Sequence, residues 1–376
     1  MADPGGGAGT QPVHRQVGGP VPTEAGRVRD TVTRFPAIAG VLTAQQMDAT
    51  GAAVAAMQED SGALPWFPGG QTDPWDHIES AMALSVTGRI AEAQAAYEWS
   101  RRLQREDGSW PIRTVIGHVE DANIDSNFCA YIAVGVWHHY LITGDTRFLD
   151  RMWPMVWSAI DLVMKFQRPD GAFRWGGDHG TGAMFDQAQI TGNASIFQAV
   201  DCAIRIADEV GQPDQEWVSA HTALGDAIRD RPEIFEPPSD HSMDWYYPIL
   251  GGALRGRAGQ EHIARRWDEF VVDGKGVRCV DHRPWVTGAE TCELALALDA
   301  LGDTGDAITL VESIQHLRDP DGSYWTGLVY SDGKRWPVEK SCWTSAAVIL
   351  AADAISRTSA ANGIFRDVRQ NLAVGR

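Results

Sequence analysis

Carboxylates and aromatic residues gather in six short segments spread along the chain. The segments are residues 73–79, 121–127, 186–193, 240–247, 283–293 and 335–343. Two carboxyl groups, one protonated and one ionised, are what glycoside hydrolysis requires, and aromatic faces hold sugar rings. If the fold brings these segments together, they would form a site for carbohydrate chemistry.

Some of these acids have a simpler explanation. Asp, Ser and Thr cap helix N-termini, where the helix dipole also favours negative charge, and Asp73, Asp121 and Asp240 fit that role. Five other acids lie a turn inside the predicted helix starts, where no cap is needed: Asp76, Asp125, Asp244, Glu290 and Glu293.

We expect Glu290 to be one catalytic carboxyl group, because it lies inside a predicted helix start and follows Trp285 closely. Its partner is expected to be Asp76, Asp125 or Asp244, and the sequence leaves that choice open. Which carboxyl is the acid, and whether the anomeric configuration is inverted or retained, depends on their separation in space.

Further residues in or near these segments have the chemistry to hold a sugar. The expected platforms are aromatic: Trp66, Trp75, Trp245, Tyr246, Trp285 and Trp343. His77, Asn127 and Arg278 are expected to contact sugar hydroxyl groups.

No metal or cofactor is expected. Six histidines were considered as ligands and form no H-E-x-x-H or similar spacing: His77, His138, His139, His179, His241 and His282. A Gly-rich phosphate loop and a G-x-S-x-G motif are also missing from the sequence, which argues against nucleotide chemistry and serine hydrolysis.

A repeated motif predicts the elements that must position these residues. It reads Gln-x-x-Asp-Gly-x, or a close variant, followed by a hydrophobic residue, at residues 58–64, 104–110 and 167–173, with a looser copy at 315–324 and a remnant at 273–274. Gly suits a helix C-cap and Asp-Gly a turn, so each copy marks the end of a helix. The regular spacing indicates a repeated supersecondary unit.

The repeat divides the chain into six helical hairpins. Amphipathic outer helices are expected at about 43–59, 90–105, 146–167, 212–230, 257–272 and 304–318. More apolar inner helices, rich in small residues, are expected at about 75–87, 122–142, 187–209, 243–255, 287–301 and 340–356.

This alternation predicts an all-α protein with the (α/α)6 toroid fold. An open solenoid is the competing fold, but it requires polar end caps that the sequence does not show. In a toroid, the starts of all inner helices meet at one face, and the six acidic and aromatic segments would therefore line one funnel.

Composition limits the remaining possibilities. The chain has 376 residues, expected to form a disordered tail at 1–35, a single catalytic toroid at 36–360 and a C-terminal tail at 361–376. A net charge of −18 argues against nucleic acid or an anionic membrane as partner, and no apolar run is long enough to span a membrane. Five scattered cysteines and no signal-like apolar start predict a cytoplasmic protein.

Parts of the chain resemble six-hairpin glycosidases. Tyr140-Leu-Ile-Thr-Gly-Asp-Thr-Arg-Phe-Leu149 and the helix after it look like the second hairpin of that group. Val338-Glu339, followed by Trp343-Thr-Ser-Ala-Ala347, is similar to the last inner helix of trehalase- and glucoamylase-like enzymes. That resemblance implies Glu339 as a rival for the base, although Lys340 or Arg335 could instead pair with it.

The repeats also look like the QW repeats of squalene cyclases, which use a related toroid. The chain departs from that group because it has no Asp-x-Asp-Asp motif for cyclisation. It also lacks the Asp-x-Cys pair with a distant His that holds zinc in protein prenyltransferases.

A narrower resemblance rests on Asp76-His-Ile-Glu-Ser-Ala-Met-Ala83, Met243-Asp-Trp-Tyr-Tyr-Pro248 and Trp285-Val-Thr-Gly-Ala-Glu-Thr-Cys-Glu293. These segments look like a bacterial family often labelled prenyltransferase-like, some of whose members are α-endomannosidases acting on cytoplasmic methylmannose polysaccharide. The resemblance implies an intracellular, endo-acting enzyme.

We therefore expect a glycoside hydrolase whose partner is an α-linked oligo- or polysaccharide. The alternatives are an isoprenoid cyclase or transferase, another carbohydrate enzyme such as a lyase, epimerase or phosphorylase, and a non-catalytic sugar-binding toroid. The sequence does not predict the linkage or the oligomeric state.

Overall fold

The helices of the computed structural model, which describes residues 34–370, form a closed double ring. In chain order they are α1 (Ala44–Ala56), α2 (Pro74–Val86), α3 (Ile90–Leu103), α4 (Ser126–Ala130), α5 (Ile132–Thr143), α6 (Thr146–Met164), α7 (Ile190–Glu209), α8 (Gln215–Asp230), α9 (Met243–Leu250), α10 (Gly256–Ala264), α11 (Trp267–Phe270), α12 (Gly288–Leu301), α13 (Thr304–Ser313) and α14 (Cys342–Ser356). The inner helices α2, α5, α7, α9, α12 and α14 contact one another in this order, and α14 closes on α2. The all-α, (α/α)6 prediction is therefore confirmed.

The inner helices are buried on nearly all sides, as their composition predicts. In α14, every residue from Cys342 to Ala354 is buried. The outer helices α3, α6 and α8 bury one face only, because each packs against the inner ring on one side and meets water on the other.

Three predicted helices differ most from those observed. The inner helix expected at 122–142 is split at Tyr131 into α4 and α5. Inner helix α9 ends at Leu250 instead of 255, because the backbone leaves the helix at Gly252, whose φ is +99°. The outer helix expected at 257–272 is interrupted at Arg265–Arg266 and gives α10 and α11.

Short antiparallel strands occupy the long loops that precede the inner helices. They are β1 (Gln71–Thr72), β2 (Arg113–Val115), β3 (His118–Asp121), β4 (Ile124–Asp125), β5 (Gly176–Gly177), β6 (Val271–Val272), β7 (Gly276–Arg278), β8 (Trp285–Thr287), β9 (Gly327–Val329) and β10 (Lys334–Arg335). The sheets are ordered β1-β2-β3, β4-β5 and β10-β9-β8-β7-β6. Strand β4 leads directly into α4 and β8 into α12, so both sheets fix where helices that carry candidate acids begin.

The segment after α14 packs back onto the ring. Ile364, Phe365 and Val368 are buried in the core, and Arg369 bonds the buried Asp201 of α7. Residues 361–370 thus add packing beyond the expected domain end at 360. The tail expected at 1–35 lies outside the described residues except for its last two, as do the final six residues of the expected C-terminal tail. None of the helices between residues 34 and 370 has the length and apolarity to cross a membrane.

Candidate active site

Two pairs of acids lie near the starts of α2 and α12. Asp76 and Glu79 are three residues apart on α2, and Glu290 and Glu293 repeat that spacing on α12. Residues three apart share a helix face, so each pair forms an upper acid near the mouth and a lower acid one turn deeper. Both helices flank α14, which brings the two pairs to the same part of the ring.

The lower acid Glu79 is held from two sides. The hydroxyl group of Tyr131 donates to its Oε1 at 2.7 Å, and the indole of Trp343 donates to its Oε2 at 2.8 Å. Burial raises the pKa of Glu79, while these two donors oppose the rise. Three inner-ring segments thus meet on one carboxyl group.

The lower acid Glu293 has a matching environment. The hydroxyl groups of Tyr246 and Tyr247 donate to its two oxygens, the latter at 2.7 Å. Burial, and then the charge of nearby Glu79, raises the pKa of Glu293 well above its ordinary value. Glu79 and Glu293 therefore form a rigid, hydrogen-bonded floor beneath the upper acids.

The upper acid Asp76 is set up to carry a proton. Burial raises its pKa well above the ordinary value, and the negative charge of Asp73 raises it further. Asp73 is itself the cap of α2, accepting from the amide of Asp76 at 2.9 Å. A partly exposed carboxyl group whose pKa is raised in this way is suited to general-acid chemistry.

The other upper acid, Glu290, offers a free acceptor. Its side chain is buried, and its Oε2 has no hydrogen-bond partner among residues 34–370. It lies in the first turn of α12, where the helix dipole stabilises a negative charge. Burial and then the Glu290 carboxylate raise the pKa of the neighbouring Cys279 thiol, so that thiol stays neutral.

A polar cavity of about 130 Å³ opens beside Asp76's helix, between α2, α4 and α7. Its lining includes Trp75, Asp125, Asn127, Trp175 and Thr191. The Oδ1 of Asn127 is buried and lacks a partner within the described chain. Such an acceptor is suited to a sugar hydroxyl group, because an unpaired buried acceptor gains a full hydrogen bond.

Asp125 is a cap as well as a lining residue of that cavity. Its Oδ1 accepts from the amides of Asn127 and Phe128, at 2.9 and 3.1 Å. Burial raises its pKa to about 7, despite these two donors. Asp125 is therefore the N-cap of α4 and also borders this cavity.

Asp244 links two inner helices. Its Oδ1 accepts from the hydroxyl group of Thr191 at 2.5 Å and its Oδ2 from the amide of Ser239 at 2.6 Å. Both oxygens are engaged, so Asp244 fixes the loop before α9 against α7 and is a poorer catalytic partner than Asp76.

The aromatic residues near α14 form a wall. Trp343 lies over the floor through its bond to Glu79, and the ring of Trp66 packs on it with centroids 5.6 Å apart. The indole of Trp66 donates to Glu339. Glu339 is thereby placed behind this wall, and no ion pair joins it to Lys340 or Arg335 in the described structure: Lys340 pairs with Asp319 and Asp321.

The structure places two of the residues expected to contact sugar away from the funnel. His77 is fully buried, and its ring nitrogens bond the amide of Leu64 and the carbonyl of Ala96, so it joins α2 to the outer layer. Trp245 stacks on Phe270 at 5.3 Å on the outer side of α9. Both face away from the ring axis because a helix start presents only part of its circumference to the funnel.

Arg278 and Trp285 form hydrogen bonds with residues of the surrounding loops. The guanidinium group of Arg278, which is expected to contact a sugar hydroxyl group, donates to the hydroxyl of Tyr330 and to the carbonyls of Glu269 and Asp281. The indole of Trp285 donates to the carbonyl of Trp336 at 2.7 Å and ties β8 to the loop before α14. Tyr246, an expected platform, is instead the fully buried donor to Glu293.

Several residues of the site were not singled out from the sequence. Glu79 could have been found, because its spacing from Asp76 matches that of Glu293 from Glu290. Tyr131 and Tyr247 carry no such signal, since their role depends on which helices meet. Asp240, Asp281 and His282 place three possible metal ligands close together, but Asp240 and His282 are exposed and the cluster is separate from the acids on α2 and α12.

Solved structures with the same fold come from several kinds of sugar enzyme. A wild-type glycosidase matches with a TM-score of 0.63 at 14% identity, covering 84% of this chain and 97% of its own. A D-mannose isomerase matches with a TM-score of 0.62 at 11% identity, covering 84% and 97%. A rhamnosidase from Klebsiella oxytoca with rhamnose bound has a TM-score of 0.60 at 13% identity, covering 86% and 66%. At such identities these matches establish the toroid fold.

A protein of known activity provides the closer comparison, whereas no family model matches the chain. The MMP endo-(1,4)-3-O-methyl-alpha-D-mannosidase of Mycolicibacterium hassiacum is 57% identical over 341 residues, which cover 91% of this chain and 94% of that enzyme. The chain is therefore a glycoside hydrolase and belongs to the family of this endo-mannosidase.

Proposed function

We propose that this enzyme cleaves internal α-(1,4) bonds of a 3-O-methylmannose polysaccharide, with Asp76 as the general acid. Support for the substrate is the 57% identity to an enzyme named for that reaction. Support for the role of Asp76 is its position at the start of α2, where burial and then the charge of Asp73 raise the pKa of its carboxyl group. That raised pKa is the observation on which the proposal depends most.

Glu290 is proposed as the second catalytic carboxylate. Its unbonded Oε2 is available either to take a proton from water or to attack the anomeric carbon. Asp76 gives its proton to the glycosidic oxygen, and the leaving sugar departs as an alcohol. While this bond breaks, Glu290 supplies the negative charge that stabilises the oxocarbenium-like transition state. A water oxygen ends on the anomeric carbon, either directly, with Glu290 taking a proton from that water, or by hydrolysis of a glycosyl ester formed on Glu290.

The floor beneath these acids is proposed to hold them in place. Glu79 and Glu293 are locked by Tyr131, Trp343, Tyr246 and Tyr247, so they cannot approach a substrate without breaking those bonds. Their helices carry the catalytic pair one turn above. Rigid support of this kind keeps reacting groups within the narrow geometry that catalysis requires.

The polar cavity beside α2 is proposed to bind one sugar ring. Trp75 and Trp175 provide aromatic surface there, and Asn127 provides the unpaired acceptor. A sugar in this position would receive both stacking and a hydrogen bond.

A cytoplasmic location is proposed from the cysteines. All five are free thiols in the described structure, and four of them are buried. Reduced cysteines are the ordinary state in a reducing compartment. Fractionation of the producing cells, followed by immunodetection of the protein, would test this.

The catalytic assignment is tested by Asp76→Asn and Glu290→Gln. We expect each to lower kcat on the methylated polysaccharide by at least about 10³-fold, because each removes a proton donor or a charge needed in the transition state. Asp306→Asn and Glu216→Gln are matched controls, since each is an acid in the first turn of an outer helix. Product masses would report endo-cleavage, and anomeric NMR would report inversion or retention.

Two results would contradict the proposal. Retention of parental activity in either variant would remove that residue from the catalytic pair. If the parent enzyme leaves the methylated polysaccharide intact but cleaves another α-linked glycan, the substrate assignment is wrong while the catalytic residues stand.

A further inference from the structure

A second cavity lies at the rim of the funnel, between the first and last hairpins. It has a volume of about 640 Å³, several times that of the polar cavity beside Asp125. Its lining comes from α1, from the loop before α2 and from the loop before α14: Ala52, Ala53, Ala56, Met57, Phe67, Pro68, Asp321, Ser323, Val338, Glu339 and Lys340. We refer to it as the rim groove.

The rim groove is mainly apolar, and its one cation is neutralised. The floor consists of small side chains of α1 with Met57, and Phe67, Pro68 and Val338 form walls. The ammonium group of Lys340 pairs with Asp319 at 3.2 Å and with Asp321 at 2.8 Å. A phosphate or carboxylate ligand would have to displace these acids, so an uncharged ligand fits this chemistry better.

The rim groove is joined to the catalytic floor by direct contacts. Glu339, which lines it, accepts from the indole of Trp66. The ring of Trp66 packs on Trp343, whose indole donates to Glu79 one turn below Asp76. The C-terminal half of α1 and the loops before α2 and α14 all lie on the face where the inner helices begin. A long chain in the funnel could therefore continue over the two indoles into the groove.

We propose that the rim groove is a distal subsite that selects methylated sugars of the same polysaccharide. This inference rests on the proposed function. A 3-O-methyl ether replaces a hydroxyl donor by an apolar methyl group, and the alanine, methionine and valine side chains offer it a surface without polar partners. An unmethylated hydroxyl group there would lose water and gain no hydrogen bond, which disfavours it.

The proposal also accounts for an endo mode of action. Contacts far from the scissile bond increase the affinity for a long substrate and leave the affinity for a short one unchanged. They therefore favour cleavage within a chain. Glu339 would then accept a hydroxyl hydrogen bond at the groove entrance instead of acting as a base, because the indole wall separates it from the acids on α2 and α12.

The test introduces a charge into the groove without touching the catalytic residues. Ala52 and Ala56 are exposed residues of α1, so Ala52→Glu and Ala56→Glu change the groove while leaving the helix intact. Ala91→Glu is the matched control: it is an exposed alanine of outer helix α3, at the end remote from the funnel. Kinetics would be measured on the methylated polysaccharide, on a short methylated oligosaccharide and on unmethylated α-(1,4)-manno-oligosaccharides of matched length.

We expect the groove variants to raise KM for the methylated polysaccharide by about ten-fold, the effect of losing one well-placed apolar group, with kcat unchanged. The preference for methylated over unmethylated long chains should fall by a similar factor. Hydrolysis of the short oligosaccharide, and every parameter of Ala91→Glu, should match the parent.

The outcomes separate the two proposals. If the parent cleaves the polysaccharide and the groove variants retain its KM and its preference for methylation, the subsite is absent and the proposed function stands. If the parent cleaves no methylmannan, the proposed function fails, and calorimetry with the intact methylated polysaccharide then decides the subsite: unchanged binding in Ala56→Glu overturns it, and weaker binding supports it.

Discussion

At the scale of single residues, the main feature is that one carboxyl group tunes another. Asp73 caps α2 and, by its charge, adds to the rise that burial causes in the pKa of Asp76. A residue that sequence alone explains as a cap thus also sets the acidity of its neighbour. Capping and catalysis do not compete here, because the cap uses one oxygen of Asp73 while its charge acts through space.

Asp73→Asn should therefore move the alkaline limb of the kcat/KM profile to lower pH. The charge of Asp73 raises the pKa of Asp76, so removing it lets Asp76 lose its proton, and hence its activity, at a lower pH. Asparagine still accepts from the amide of residue 76, so the cap is kept.

Asp145→Asn is the control for this profile, because Asp145 caps the outer helix α6 with the same kind of bond. It should leave both limbs in place. An alkaline limb that does not move in Asp73→Asn would mean that another group sets it.

At the scale of elements, the repeated motif joins neighbouring hairpins. The side-chain amide of Gln104 donates to the carbonyl of Gly108 at 3.0 Å and to that of Met155, on the next outer helix, at 2.9 Å. Gln58 and Gln167 make the same two bonds, to Gly62 and Glu92 and to Gly171 and Ala220. The motif that predicts helix ends is thus also a link between hairpins.

The looser copies of the motif behave differently. Gln315 lies just after α13 and bonds back to the carbonyl of Val311 in that helix, but Gly322 still packs against Ala49 of α1 and so joins the last hairpin to the first. The glycine of the remnant, Gly274, packs closely against nothing and only turns the chain. Close helix approach therefore depends on the glycine more than on the glutamine.

Gly108→Ala should lower the free energy of unfolding by about 2–4 kcal/mol. Gly108 has φ +93°, and an added Cβ would lie 2.3 Å from the carbonyl oxygen of Ser158. Gly302→Ala is the matched control, since its φ is +89° and nothing lies within 4 Å of an added Cβ. The control should lose only about 1 kcal/mol, the cost of placing alanine at a positive φ. Equal losses of unfolding free energy in denaturant titrations of the two variants would refute the close-packing role of Gly108.

At the scale of the whole molecule, the ring is closed by helix contacts and then fastened by the C-terminal segment. Arg366 bonds the buried Asp299 of α12, and Arg369 bonds the buried Asp201 of α7. These two helices are separated by α9 in the ring. The segment thus connects inner helices that do not neighbour each other.

Arg369→Ala should lower the free energy of unfolding by about 3 kcal/mol, because it leaves a buried carboxylate with Arg205 as its remaining ion-pair partner. Arg257→Ala is the control: its pair with Glu261 is largely exposed and should contribute under about 1 kcal/mol. Thermal unfolding of both variants at the same pH would compare them. If Arg369→Ala lowers the free energy of unfolding no more than the control does, the C-terminal segment does not stabilise the ring through this ion pair.

The sequence predicted most of the architecture and part of the site. Helix starts and ends followed from Gly, Asp and periodicity, which are local signals, and five of the six inner helices start within about four residues of their expected positions. The prediction that Asp76 and Glu290 lie inside helix starts is met by α2 and α12. Their assignment as the catalytic pair stays a prediction, together with the roles proposed for Asn127, Trp66, Trp75 and Trp343.

The two expected sugar contacts that lie away from the funnel have one physical cause in common. His77 and Trp245 lie at helix starts, as predicted, but which side of a helix faces the axis depends on its rotation against five others. Other contacts of the site could not be predicted because their partners are far apart in sequence. Trp343 bonds Glu79 across 264 residues, and Trp66 bonds Glu339 across 273. No local pattern encodes such a meeting.

By itself, the sequence determined the six hairpins, the face on which the inner helices begin and the acids placed there, because caps, turns and apolar periodicity act over a few residues. Only the tertiary structure decided which acids have raised pKa values, which acids accept hydrogen bonds from tyrosine and tryptophan, and where the rim groove lies. Those properties depend on burial and on contacts between distant helices, and they exist only once the ring is closed.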